Sequence, residues 1–147
     1  MNSLKTQGEH SMQWAELYQK ETEKPLSQFI RDLKSAGKMR GFIIHNENSM
    51  EMAHTFGAHG VEVRQGFDLH MIQVCKPEKA AVSLQSNPER AALMPKFIMT
   101  FTRDNMTQVR FLIYNRPMIE ALTGEPAFAD SLAESYVTIK TMIDTAL

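Results

Sequence analysis

Two runs of alternating apolar residues, Lys96 to Thr102 and Gln108 to Tyr114, stand either side of Arg103-Asp104-Asn105-Met106-Thr107. So short a connection cannot cross over a sheet, and the spacing predicts an antiparallel hairpin. The fold must therefore be built around a piece of antiparallel sheet. Two proline-led helices follow: a short one opened by Pro117 and ending near Gly124, and a long one after Pro126. In the second, Phe128, Leu132, Tyr136, Ile139 and Ile143 step by four, four, three and four, which gives a helix with one buried face.

Upstream, strands and helices alternate. Phe42, Ile43 and Ile44 make a short strand between Arg40 and His45, and a second strand spans Phe67 to Cys75. Between them, Asn48 followed by Glu51 resembles a capping box for a helix through Met52, Ala53 and Phe56, closed by Gly57 and Gly60. Pro77 starts another helix, with Ala80, Ala81 and Leu84, which Asn87-Pro88 breaks. The first 38 residues read as a helical extension with two patterns. Met12, Ala15 and Tyr18 form the first; Leu26, Phe29, Ile30 and Leu33 form the second, which Gly37 is placed to end. The expectation is an α/β (α+β) protein: residues 1–38 as the extension, and residues 39–147 as a two-layer sandwich with a small four-stranded sheet covered by helices on one face.

The strands are apolar on both sides. Phe67, Leu69 and Met71 oppose Ile72 and Val74; Phe97, Met99 and Phe101 oppose Ile98. A two-layer fold covers only one of those faces, so a second copy of the chain is expected on the other, giving a homodimer. Charge argues against other macromolecular partners. With 16 basic and 17 acidic residues the formal net charge is −1, which lacks the excess that nucleic acid or an anionic membrane attracts. No apolar run approaches the length of a membrane span, and the start of the sequence lacks the apolar stretch of a signal peptide. The expected location is the cytoplasm.

Few residues suggest chemistry. Cys75 is the only cysteine, so neither an intramolecular disulfide nor a CxxC site can form. It ends a strand just before a proline-started helix, where a thiol is readily activated and where ligands of α/β folds gather. It is therefore a candidate nucleophile and ligand-binding residue, and equally a small core residue. Four of the five histidines fall between His45 and His70. Those two lie on consecutive strands and are candidate ligand-binding and metal residues, although the spacing is not that of a metal motif. The 11 methionines are scattered, which suits core filling better than copper or haem ligation. There is no Walker loop, GxSxG elbow, HExxH motif or dinucleotide loop.

One stretch carries a family likeness. Val74-Cys75-Lys76-Pro77-Glu78-Lys79-Ala80, Leu84, Asn87-Pro88-Glu89 and Leu93-Met94-Pro95 before a strand resemble, in order and spacing, the domain-of-unknown-function family 302. The likeness runs from about Gly41 to the end of the chain. It implies a small α/β fold with a largely antiparallel sheet and a tendency to dimerise, and it implies no established activity. Family members often carry a second cysteine where this chain has Lys96, and asparagine where it has Lys76, so a role needing two thiols does not transfer. Three functions remain open. The first is a homodimeric binding or accessory protein holding a small ligand, metal or haem-like group near His45, His70 and Cys75. The others are a thiol-dependent enzyme or sulfur carrier using Cys75, and a purely structural or regulatory dimer. No cofactor is specified by the sequence.

Overall fold

The computed structural model describes residues 14–147. Strands β1 (Ala15–Thr22), β2 (Ile43–Ile44), β3 (His70–Cys75), β4 (Lys96–Arg103) and β5 (Met106–Tyr114) form one antiparallel sheet in the order β1-β5-β4-β3-β2. The helices are α1 (Leu26–Lys38), α2 (Met52–Ala58), α3 (Pro77–Ser86), α4 (Arg116–Thr123) and α5 (Pro126–Ala146), with a 3-10 helix over Pro88–Leu93.

The hairpin is tighter than the five-residue turn expected. Only Asp104 and Asn105 lie outside the strands, both with positive φ (54° and 61°), and Asp and Asn tolerate that conformation best among residues with a side chain. Inward residues of the strands form rows across the sheet. Tyr18, Phe111, Ile98 and Ile72 are successive partners on one face. That face meets Phe29 and Leu33 of α1 and Leu132, Tyr136, Ile139 and Ile143 of α5 in a single core. Phe111 and Tyr136 pack edge to face, 5.9 Å between centroids. The opposite face carries Leu17, Met71, Phe97, Met99, Phe101 and Leu112, of which Leu17 and Leu112 are about half exposed (51% and 48%).

Four of the five strands are those expected, although β3 begins at His70 and leaves Phe67 and Leu69 outside it; the fifth corrects the reading of the N-terminal segment. Of the first helical pattern, Met12 lies outside the described residues, while Ala15–Thr22 is a strand paired along its whole length with Thr107–Tyr114 of β5. The apolar spacing there also fits a helix, but an unpaired β5 edge offered backbone partners that no helix could match. The second pattern is a helix, α1, and Gly37 sits inside it rather than ending it. A Cβ at Gly37 would lie 3.0 Å from Met142 Cε and 3.2 Å from the Phe42 carbonyl oxygen, so the glycine permits close packing instead. A further correction concerns α2. Its cap is Glu51, whose carboxylate accepts the N–H groups of Ala53 and His54, and not Asn48.

Candidate functional site

The three residues singled out by sequence do not converge. His70 opens β3 and Cys75 closes it, about 17 Å apart along an extended strand. His45 follows β2, whose pairing of Ile43 with Cys75 and Ile44 with Val74 carries on to set His45 opposite Gln73. His45 is therefore on the sheet face of Gln73, while His70, in register with Thr100, is on the face that meets the helices. The side-chain period of two, which sequence adjacency of strands cannot reveal, separates them. His70 Nδ1 lies 2.8 Å from the Asp68 carbonyl oxygen, beside Leu26, Ile30 and Met50, and His45 is exposed. A metal shared by His45 and His70 does not fit this geometry. Among the described residues, no group of three or more His, Cys, Asp or Glu side chains is placed to hold a metal ion.

Cys75 instead borders a partly open cavity of about 120 Å³ between α3, α5 and the start of β4. Phe42, Leu84, Met94, Phe128 and Leu132 supply its apolar wall. Its polar lining is lopsided: Lys76, Lys79 and Lys96 contribute, and no aspartate or glutamate does.

Lys96 is the least expected of these. It begins β4 on the same face as Ile98 and Thr100, so the strand's alternation points it inward, and it is 9% exposed. Its ammonium donates to the Met94 carbonyl at 3.0 Å. Burial pushes its pKa below the ordinary lysine value; Cys75 acts in the opposite direction and Lys79 adds to the lowering. Lys79, in the first turns of α3, donates to Ser131 O at 2.9 Å and to Ser135 Oγ at 2.8 Å, both on α5. Its pKa is also lowered by burial, with Glu134 raising it and Lys76 lowering it further. Lys76 lays its aliphatic stem against Gly41, where a Cβ would meet Lys76 Cε at 3.2 Å and φ is +80°.

Beside the cavity, an ion-pair cluster joins the elements that flank it. Arg90, on the 3-10 helix, forms a two-pronged ion pair with Glu125, the N-cap of α5, and stands 5.0 Å over the Phe128 ring. Asn87 donates to the same carboxylate at 2.8 Å, and Arg90 also donates to the Ser83 carbonyl at 3.2 Å. One carboxylate thus ties α3, the 3-10 helix and α5 together. It is held below the ordinary glutamate range by Arg90, with burial opposing and Asn87 adding to the effect.

The model of the domain of unknown function DUF302 matches residues 18–146. The chain belongs to the DUF302 family. The match begins within β1 and so takes in α1, upstream of the Gly41 at which the likeness starts in the sequence. A crystal structure of an uncharacterized conserved DUF302 protein from Bacillus stearothermophilus is similar, with a TM-score of 0.70 at 16% identity. The alignment covers 89% of this chain and 98% of that one, and identity so low shows the shared fold alone. No curated protein matches the sequence.

Within this DUF302 fold, Lys79 and Lys96 are the residues that the sequence reading missed as a site. The signal for Lys96 was present: a lysine two residues before Ile98 in a strand occupies an inward position, where charge is rare. Lys79 gave no such signal, since its partners Ser131 and Ser135 lie more than 50 positions away.

Proposed function

We propose that this DUF302 protein is a homodimeric binding or accessory protein, and that its small-molecule site is the lysine-lined cavity beside Cys75. The cavity itself carries the reading. It is concave, apolar over most of its wall, and provided with a few converging polar groups, the arrangement small-molecule sites share. A buried lysine without a carboxylate partner, as Lys96 is, lowers stability, and such groups persist where function uses them. The site first expected around His45 and His70 is thereby moved to the other end of β3, with Cys75 common to both.

A fragment panel followed by the ¹³C-methyl NMR signal of Met94 tests this. Binders should shift Met94, and Ala80→Phe, which fills the cavity, should abolish the shift while the other methionine signals stay in place. Fragments that bind equally well to the filled variant would move the site elsewhere.

The dimer is proposed through the sheet face of Leu17, Phe97, Met99, Phe101 and Leu112, which no element of the chain covers among the described residues. Light scattering should give twice the chain mass, and Leu112→Lys should reduce it to one. The cytoplasm is the compartment we propose, because a lone thiol without a disulfide partner suits reducing conditions.

One observation favours a second reading, a thiol-dependent enzyme or sulfur carrier. Cys75 borders the same cavity as the buried Lys96. Under that reading, alkylation of Cys75 by iodoacetamide slows in Lys96→Met; an unchanged rate would remove it.

A further inference from the structure

We infer that the cavity selects a small monocarboxylate, its carboxylate between Lys79 and Lys96 and its apolar body against Phe42, Leu84, Phe128 and Leu132. This rests on the reading above that the cavity holds a ligand, and it names the chemical class of that ligand.

Three independent features converge on it. The first is unused donor capacity. Each ammonium has three N–H groups. Lys96 directs one to Met94 O, and Lys79 directs two to Ser131 O and Ser135 Oγ, all neutral acceptors. Donors therefore remain on both, and two like charges face a space whose lining holds no carboxylate. Glu134 acts on Lys79 from outside the lining. A single anion placed between them would supply the missing charge and the missing acceptors together.

The second feature is the start of α3. This 10-residue helix opens with Pro77 at its first position, no side chain caps it, and Lys76, Lys79 and Ala80 of its first turn border the cavity. Glu78 of the same turn is exposed and outside the lining, so the positive end of the helix dipole still lies on the lysines' side of the cavity.

The third is size and polarity. A cavity of about 150 Å³ accommodates benzene, so about 120 Å³ suits an inner body of about six non-hydrogen atoms. The aromatic and aliphatic wall opposite the lysines suits a hydrocarbon body rather than a second charged group. An inorganic dianion would lay charge against Phe42 and Phe128; a short-chain carboxylate places charge and hydrocarbon each against its match.

The test uses the full chain with ¹³C-methyl methionine, the Met94 signal being assigned through Met94→Leu. Sodium butyrate, butyramide and sodium phosphate are titrated separately. Butyrate should shift Met94 and bind more tightly than its neutral isostere by about tenfold or more. Lys79→Met and Lys96→Met should each erase most of that preference while retaining butyramide binding. Should either methionine variant fail to fold, Lys→Gln at the same position serves, with the remaining methyl signals reporting an intact core. Equal affinity for butyrate and butyramide would overturn the carboxylate assignment and leave the cavity as a binding site. Tighter binding of phosphate at Met94 would overturn it as well. If none of the three moves Met94, the carboxylate assignment fails; the fragment panel then decides separately whether the cavity binds anything.

Discussion

Lys79 of α3 donates its ammonium proton to Ser135 Oγ of α5 at 2.8 Å, across 56 positions of sequence. That bond fixes a charged group at the wall of the cavity and joins the two helices that flank it. Ser135 is buried, and its hydroxyl passes a hydrogen bond on to Ser131 O at 3.3 Å. Ser135→Ala leaves Lys79 with one fewer acceptor in a partly desolvated position. It should lower stability by about 1 kcal/mol in urea denaturation.

Lys96→Met should act in the opposite direction. The change exchanges a buried ammonium, bonded only to the Met94 carbonyl, for an apolar side chain of similar length. A gain of about 1 kcal/mol at neutral pH is expected. The sign with pH follows from the lowered pKa. Between its folded value and the ordinary 10.5, the unfolded chain binds more protons at this site, so wild-type stability rises with pH there. The advantage of the variant should accordingly narrow as pH approaches 10.5. Urea midpoints at neutral and alkaline pH measure it.

Glu125 governs the acid side. Its pKa is lowered in the folded protein, so the stability it confers is complete above its ordinary value of 4.5 and is lost as pH falls through the folded value. Glu125→Gln should be less stable than wild type at neutral pH and should converge on it in acid. Thermal melts between pH 7 and pH 3 would show whether the two curves meet, as expected, or stay parallel.

Thr100 is completely buried on β4, and its hydroxyl has no hydrogen-bond partner among the described residues. Thr100→Val keeps the β-branched shape and removes the unsatisfied group. A rise in melting temperature corresponding to as much as about 1 kcal/mol is expected.

Removing residues 1–38 takes away β1 and α1 together. It uncovers the β5 edge along Thr107–Tyr114 and withdraws Phe29 and Leu33, both buried in the core. The remainder should lose its cooperative urea transition, which circular dichroism would follow.

Much of the molecule was legible one element at a time. The β4–β5 hairpin, the proline-started helices α3, α4 and α5 and the inward stripe of α5 each depend on neighbours within a few positions, and local chemistry reports on them faithfully. The strand at Ala15–Thr22 was not legible, because each of its faces carries one large apolar residue, Leu17 or Tyr18, too few to show a period of two, and its state was decided by an unpaired edge more than 80 positions away. The fourth residue of the capping box, Glu51, was noticed for the wrong role: it caps the helix itself.

The site divides along the same line. Sequence by itself determined that Cys75 stands at a strand end before a helix and that the sheet is apolar on both faces. Only the tertiary structure decided that His45 and His70 lie on opposite faces, and that Lys79 and Lys96 meet Cys75 at one cavity. The reason is geometric. Periodicity fixes which way a side chain points within its own element, whereas strand register and the packing of α3 against α5 fix which side chains meet, and those are set by the whole chain at once.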